Sequence, residues 1–179
     1  MKAVPRPLSV YVHIPFCTVK CGYCDFNAYA GLESLHESYR DAIVAELRAS
    51  APALDGYTVG TIAFGGGTPG EVPAGDIATI IAAVRDAAAV EEGAEISLEA
   101  NPGTTDACGL AALHRAGVTR ISFGAQSFDA EQLRFLDRIH SPEAIGATVR
   151  LARAAGFESI NLDLIYGLPG QDLASWQHT

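Results

Sequence analysis

The sequence predicts an α/β fold built on parallel strands, and three observations predict it. Short β-branched or apolar runs alternate with longer stretches of helical periodicity along the chain. Glycines stand where helices should end, just ahead of the next strand. Polar and small residues gather at the C-terminal ends of the strands, where ligands of parallel-strand folds bind. The alternation implies right-handed crossovers between parallel strands, in an open sheet or a barrel.

The elements follow in order. Strands are expected over Ser9–Ile14, Val59–Phe64, Glu95–Glu99, Arg120–Phe123 and Ile160–Ile165. Helices are expected between them, over Ser34–Ala49, Asp76–Val90, Thr105–Ala116, Asp129–Asp137 and Pro142–Ala155. In the second helix Ile77, Ile80, Ile81 and Val84 fall at i, i+3, i+4, i+7 and make one apolar face. Gly117 and Gly156 are the expected C-terminal caps of the third and fifth helices. After the fifth strand comes Gly167-Leu168-Pro169-Gly170, and Asp172 to Gln177 begins a further helix. Five strand–helix units do not close a barrel, and an open parallel sheet would leave an apolar edge exposed. Residues 1–179 are therefore expected to form one incomplete core domain, the N-terminal portion of a longer protein, truncated after the fifth strand.

Composition narrows the function classes. With 179 residues and 49% hydrophobic content the chain can bury a substantial core. A formal net charge of −9, with only 12 scattered Lys and Arg, excludes a binder that works by neutralising phosphates, so no nucleic-acid partner is expected. Met1 to Leu8 carries two prolines, and the following apolar run Val10 to Phe16 is broken by His13 and Pro15. That is too short for a signal-peptide core or a membrane span, and a cytoplasmic protein with no transmembrane segment is expected. In a reducing cytosol the 4 cysteines are metal ligands or catalytic groups before they are disulfides. Cys108, alone on a helical pattern, is expected to be a small packed residue.

The strongest motif is Cys17-Thr-Val-Lys-Cys21-Gly-Tyr-Cys24, directly after the first strand. Three thiolates on one loop can hold three corners of a 4Fe–4S cubane. With no fourth cysteine nearby, one iron is left open, as a reactive site requires. A zinc site completed by His13 or Asp25, or simple buried thiols, are the bland alternatives. Phe64-Gly65-Gly66-Gly67-Thr68-Pro69 ends the second strand, and its glycines permit positive φ and close backbone approach to a ligand. The third strand ends in Leu98-Glu99-Ala100-Asn101, where an acidic side chain can accept hydrogen bonds from ribose hydroxyls. Gln126 and Asp163 mark the ends of the fourth and fifth strands. Each is a weak signal alone, but all fall at one end of the sheet.

Tyr11-Val12-His13-Ile14-Pro15-Phe16-Cys17, the following cysteines and the Gly-Gly-Gly-Thr-Pro loop resemble the radical S-adenosylmethionine (SAM) superfamily. Within it the chain is similar to the oxygen-independent coproporphyrinogen III oxidase group, including its haem-chaperone branch, from about Ser9 to Gln177. The resemblance implies a partial (β/α) barrel in which Cys17, Cys21 and Cys24 hold a 4Fe–4S cluster. It implies that Tyr11, Gly66 and Glu99 contact a first S-adenosylmethionine. Tyr23, Gly67, Thr68, Gln126, Arg138 and Asp163 match positions that contact a second. The reaction it implies is reductive cleavage of S-adenosylmethionine, with an electron donor such as flavodoxin or ferredoxin; no residue is nominated as catalytic.

One departure separates the branches. The oxidases carry a further cysteine two residues after the third, and here that position is Phe26 within Cys24-Asp25-Phe26-Asn27. The haem-chaperone branch shares this pattern, which implies haem as cargo and client haemoproteins as partners. An active coproporphyrinogen III oxidase of porphyrin biosynthesis and a structural zinc-binding domain are the other readings. Of His13, His36, His114, His140 and His178, none is nominated as a haem ligand. His13 is expected to support the cysteine loop and His114 to lie on a helix surface.

Overall fold

A computed structural model describes residues 6–179; residues 1–5, part of the N-terminal stretch read above as no signal segment, lie outside it. The chain forms β1 (Arg6–Ile14), β2 (Phe16–Cys17), β3 (Tyr29–Ala30), α1 (His36–Ser50), β4 (Tyr57–Gly66), α2 (Ala74–Ala87) and β5 (Ala89–Ala100). It continues with α3 (Ala107–Arg115), β6 (Arg120–Gln126), α4 (Ala130–Phe135), α5 (Pro142–Ala154), β7 (Ser159–Leu164) and α6 (Leu173–His178). Five strands make one parallel sheet in the order β1-β4-β5-β6-β7. The order never reverses, so every crossover steps the same way and the helices collect on one face. That is the winding of a barrel wall rather than of a doubly wound open sheet.

The two faces differ in chemistry. Across one run the registered rows Val12, Phe64, Leu98, Ile121 and Ile160, flanked by Val10, Ile62 and Ile96. These pack with Ile77, Ile80, Ile81 and Val84 of α2, Leu110 and Leu113 of α3 and Ala152 of α5 into a single core. Each such fully buried aliphatic side chain stabilises the fold by about 1.5–3 kcal/mol. The opposite face carries polar rows instead: Ser9 beside Thr61 and Glu95, and Glu99 beside Ser122 and Asn161. Strand alternation thus sends apolar residues to the helices and polar ones to the concave interior.

Gly117 and Gly156 cap α3 and α5 as expected, with φ of 107° and 105°. In each, the amide of the residue after the glycine closes onto the last turn, Val118 N–H to Leu113 O and Phe157 N–H to Ala152 O. β1, β5 and β6 run longer than expected, and the largest misreading falls at the end of α2. The second helix stops at Ala87, and Ala88 is already extended. Val90, expected in that helix, pairs instead with Val59 in a strand of 12 residues. The run Ala87-Ala88-Ala89 has no cap and no β-branching, so burial of Val90 on the sheet decides its state over local propensity. Cys108 is also corrected: it is exposed on α3, not packed. Among the described residues no helix is long and apolar enough to cross a membrane.

Candidate functional site

A cavity of about 440 Å³ opens at the C-terminal ends of the sheet strands. It gathers Cys17, Cys21, Tyr23 and Cys24 from the loop after β1, Gly66, Gly67 and Thr68 from the end of β4, and Glu99 from β5. Gln126 from β6, Arg138 beyond α4 and Asp163 from β7 complete it. Every residue nominated from the sequence lines this one space except Tyr11. Tyr11 projects from the polar face of β1, 61% exposed, with its hydroxyl 3.4 Å from His13 Nδ1.

The cysteine loop is fastened at several points. Its ends pair as β2 and β3, with Phe16 beside Tyr29 and Cys17 beside Ala30. The glycine loop presses against it: Gly67 N–H donates to Ile14 O and Thr68 N–H to Phe16 O, both at 2.7 Å. A Cβ on Gly67 would stand 2.5 Å from the Phe16 carbonyl oxygen, so only glycine allows the approach. Two carboxylates clamp the loop from afar. Glu71 accepts from Thr18 N–H at 2.6 Å and from its hydroxyl at 2.8 Å. Asp137 accepts from Gly22 N–H at 3.1 Å. His13, as expected, supports the loop by donating through Nε2 to Asn27 O at 2.9 Å.

A polar relay joins two of the three thiols. The Thr68 hydroxyl donates to Cys17 Sγ at 3.4 Å and accepts from Asn101 Nδ2 at 3.1 Å. Asn101 Oδ1 accepts in turn from the Arg138 guanidinium, which also donates to Gly124 O at 2.7 Å and to Cys21 Sγ at 3.5 Å. Asn101, Glu71 and Asp137 were not nominated from the sequence. Asn101 had a usable signal, a polar residue two positions past Glu99 and just ahead of Pro102. Glu71 and Asp137 had none, since they reach the loop from 53 and 115 residues away.

Electrostatics sharpen the picture. Burial pushes the Cys17 thiol up, opposed by the Thr68 hydroxyl and reinforced by Glu71. Burial likewise raises Tyr23, with the Arg138 charge opposing. Glu99 is still open to solvent, yet desolvation by the cavity walls pushes its carboxyl up. The Gly66 N–H opposes that shift and the like charge of Asp163 adds to it. Asp163 is held in place by the Ser122 hydroxyl at 2.9 Å and Asn161 Nδ2 at 2.7 Å. Gln126 adopts φ 66°, a conformation costing on the order of 1–3 kcal/mol outside glycine. Among the described residues no three His, Cys, Asp or Glu side chains converge to hold a single metal ion.

The chain matches the family model of the Radical SAM superfamily over residues 11–179. It is 44% identical over 168 residues to the heme chaperone HemW of Escherichia coli (strain K12), covering 93% of this chain and 44% of that protein. To the oxygen-independent coproporphyrinogen III oxidase of Salmonella typhimurium it is 37% identical over 175 residues, 97% of this chain and 38% of that protein. The solved structure of coproporphyrinogen III oxidase (HemN) from Escherichia coli superposes with a TM-score of 0.88 at 36% identity, over 98% of this chain and 41% of that one. The chain therefore spans less than half the length of the curated relatives it matches. A family model that begins on β1 and runs to the last residue, together with a parallel barrel wall carrying three cysteines at its C-terminal end, leaves one conclusion: the chain belongs to the radical SAM superfamily, whose members work with a 4Fe–4S cluster and S-adenosylmethionine.

Proposed function

We propose that Cys17, Cys21 and Cys24 bind a 4Fe–4S cluster with one iron open to S-adenosylmethionine, and that the protein serves haem delivery to client haemoproteins rather than oxidation of coproporphyrinogen III. The observation that carries the haem reading is Phe26. It lines the cavity in place of the oxidases' additional cysteine and is 65% exposed, an apolar ring standing at the mouth of the site. An exposed aromatic beside a concave site suits a flat, apolar ligand.

The donor set fits the cluster. Three free thiols share one loop, and a cubane takes its ligands at separate corners rather than at one point. Hydrogen bonds from Thr68 and Arg138 to two of the sulfurs are the outer contacts that tune such a centre. The lack of a converging triad among the described residues weighs against the zinc reading, and His13 Nε2 is engaged with a backbone carbonyl. Glu99, with the Gly66 backbone beside it, is suited to a ribose, and Asp163 to a second polar contact. When bound, the cluster and S-adenosylmethionine supply one-electron cleavage of a sulfonium carbon–sulfur bond. The chain's own part would be to hold the cluster through Cys17, Cys21 and Cys24 and the nucleoside beside Glu99 and the glycine loop.

Anaerobic reconstitution tests this. The protein should turn brown with about four irons, bind haem stably and leave coproporphyrinogen III unchanged. Robust protoporphyrinogen formation would overturn the haem reading, and a colourless protein with one zinc would overturn the cluster. A second reading, an active radical enzyme, is favoured by the shared cavity that Tyr23, Gly67, Thr68, Gln126, Arg138 and Asp163 line together. Its mark is 5′-deoxyadenosine release coupled to substrate loss, with reduced flavodoxin or ferredoxin as electron donor.

A further inference from the structure

The C-terminal end of β6 carries the most irregular backbone around the cavity. Pairing with β7 skips from Phe123 opposite Leu162 to Gln126 opposite Leu164, so Gly124 and Ala125 together face Asp163. A bulge of this kind re-aims the residues that follow it. Gln126 then takes its positive φ, and Ser127 N–H donates back to Ala125 O at 2.8 Å. The result is a three-residue γ-turn of the rare, strained kind.

Carbonyls that leave a strand ladder need other donors. That of Gly124 is taken by Arg138 Nη2 at 2.7 Å. That of Ala125, already accepting from Ser127 N–H, takes a second bond from His140 Nε2 at 3.1 Å. His140 is 8% exposed, and its other ring nitrogen, Nδ1, has no hydrogen-bond partner among the described residues. Because a carbonyl only accepts, Nε2 carries the proton and Nδ1 is a bare, buried acceptor. A phenyl ring would fill the same space without that orphaned atom. What histidine adds at this position is the one bond to Ala125.

We infer that His140 is a positioning residue of this site: its bond to the Ala125 carbonyl holds the strained turn that presents Gln126 to the cavity. Arg138 and His140 grip adjacent carbonyls from one short segment, and Arg138 also reaches Cys21, so that segment braces the end of β6 against the cysteine loop. The consequence for S-adenosylmethionine rests on the proposed function; the hold on the turn does not.

The test compares His140→Phe with His140→Gln, whose amide can still donate toward the carbonyl. In the ligand-free protein, His140→Phe should speed hydrogen exchange at the Ser127 and Ile165 amides roughly tenfold. After anaerobic reconstitution it should keep its iron and bind S-adenosylmethionine roughly tenfold more weakly by calorimetry. His140→Gln should recover most of both. In a Gln126→Gly background, where positive φ carries no strain, His140→Phe should change Ser127 exchange by less than about threefold. Unchanged exchange in His140→Phe, no recovery in His140→Gln, or an undiminished effect beside Gly at 126 would each overturn the inference. If the unaltered protein takes up neither cluster nor S-adenosylmethionine, the proposed function falls while the exchange measurements still decide the role of His140.

Discussion

Glu99 stands at the cavity end of β5 with Asp163 nearby, and its ionisation is expected to work against folding in the ligand-free protein. Its carboxyl is held above the ordinary range, first by desolvation and then by Asp163. A carboxyl raised in the folded state stabilises the fold below its unfolded pKa and loses that contribution as pH rises through the folded value. Glu99→Gln should therefore melt higher at pH 7, on the order of 2 °C, with the gap closing toward about pH 4. The same variant should bind S-adenosylmethionine more weakly in calorimetry. A variant that melts at or below the unaltered protein at pH 7 contradicts the assignment. Phe26, at 65% exposure, contributes little to packing. Phe26→Ser should shift urea unfolding by less than about 0.5 kcal/mol while reducing haem retention. At this scale the cysteines, glycines and strand-end acids were legible, because their chemistry needs those residue types at those spacings. Asn101 carried a signal of position only, since its role exists only beside Thr68 and Arg138, 33 and 37 residues away.

Two elements set the site through their ends. Asp129 caps α4, accepting from Glu131 N–H at 2.7 Å and Gln132 N–H at 3.0 Å. Asp129→Ala should cost about 1 kcal/mol of stability by denaturant unfolding, and Asp129→Asn far less. The other end of α4 closes on Asp137, whose φ of 52° does what glycine does after α3 and α5. Asp137 N–H reaches Arg134 O and Arg138 N–H reaches Leu133 O, which turns Arg138 into the cavity. Asp137→Gly should keep the helix end and the overall stability but release Gly22, so reconstituted protein should lose iron faster to a chelator. Equal iron loss in the two proteins would show that the clamp is dispensable. Sequence placed the five strands of the main sheet and the helices between them, with Gly117 and Gly156 marking the caps, but not the short β2–β3 pair that fastens the cysteine loop. It missed the end of α2 because three alanines in a row favour continuing the helix, and the strand partner that overrides them, Val59, lies far along the chain.

For the whole molecule, the cysteine loop is an addition to a core that does not depend on it. The apolar rows of the sheet and their helices pack without any contribution from Cys17, Cys21 or Cys24. Cys21→Ala should thus abolish cluster uptake, from about four irons to essentially none, with far-ultraviolet circular dichroism unchanged; loss of helicity would refute this separation. The sequence by itself determined the α/β alternation, the parallel strands and the end of the sheet where chemistry gathers. Those follow from local periodicity, glycine stereochemistry and ligand type, all of which act over a few residues. Only the tertiary structure decided that the strands run in unbroken order, as a barrel wall with a polar concave face. It alone placed Thr68, Asn101 and Arg138 in one relay between two thiols, and set Glu71 and Asp137 on the loop. Such contacts join residues remote in sequence, and no short-range pattern encodes them.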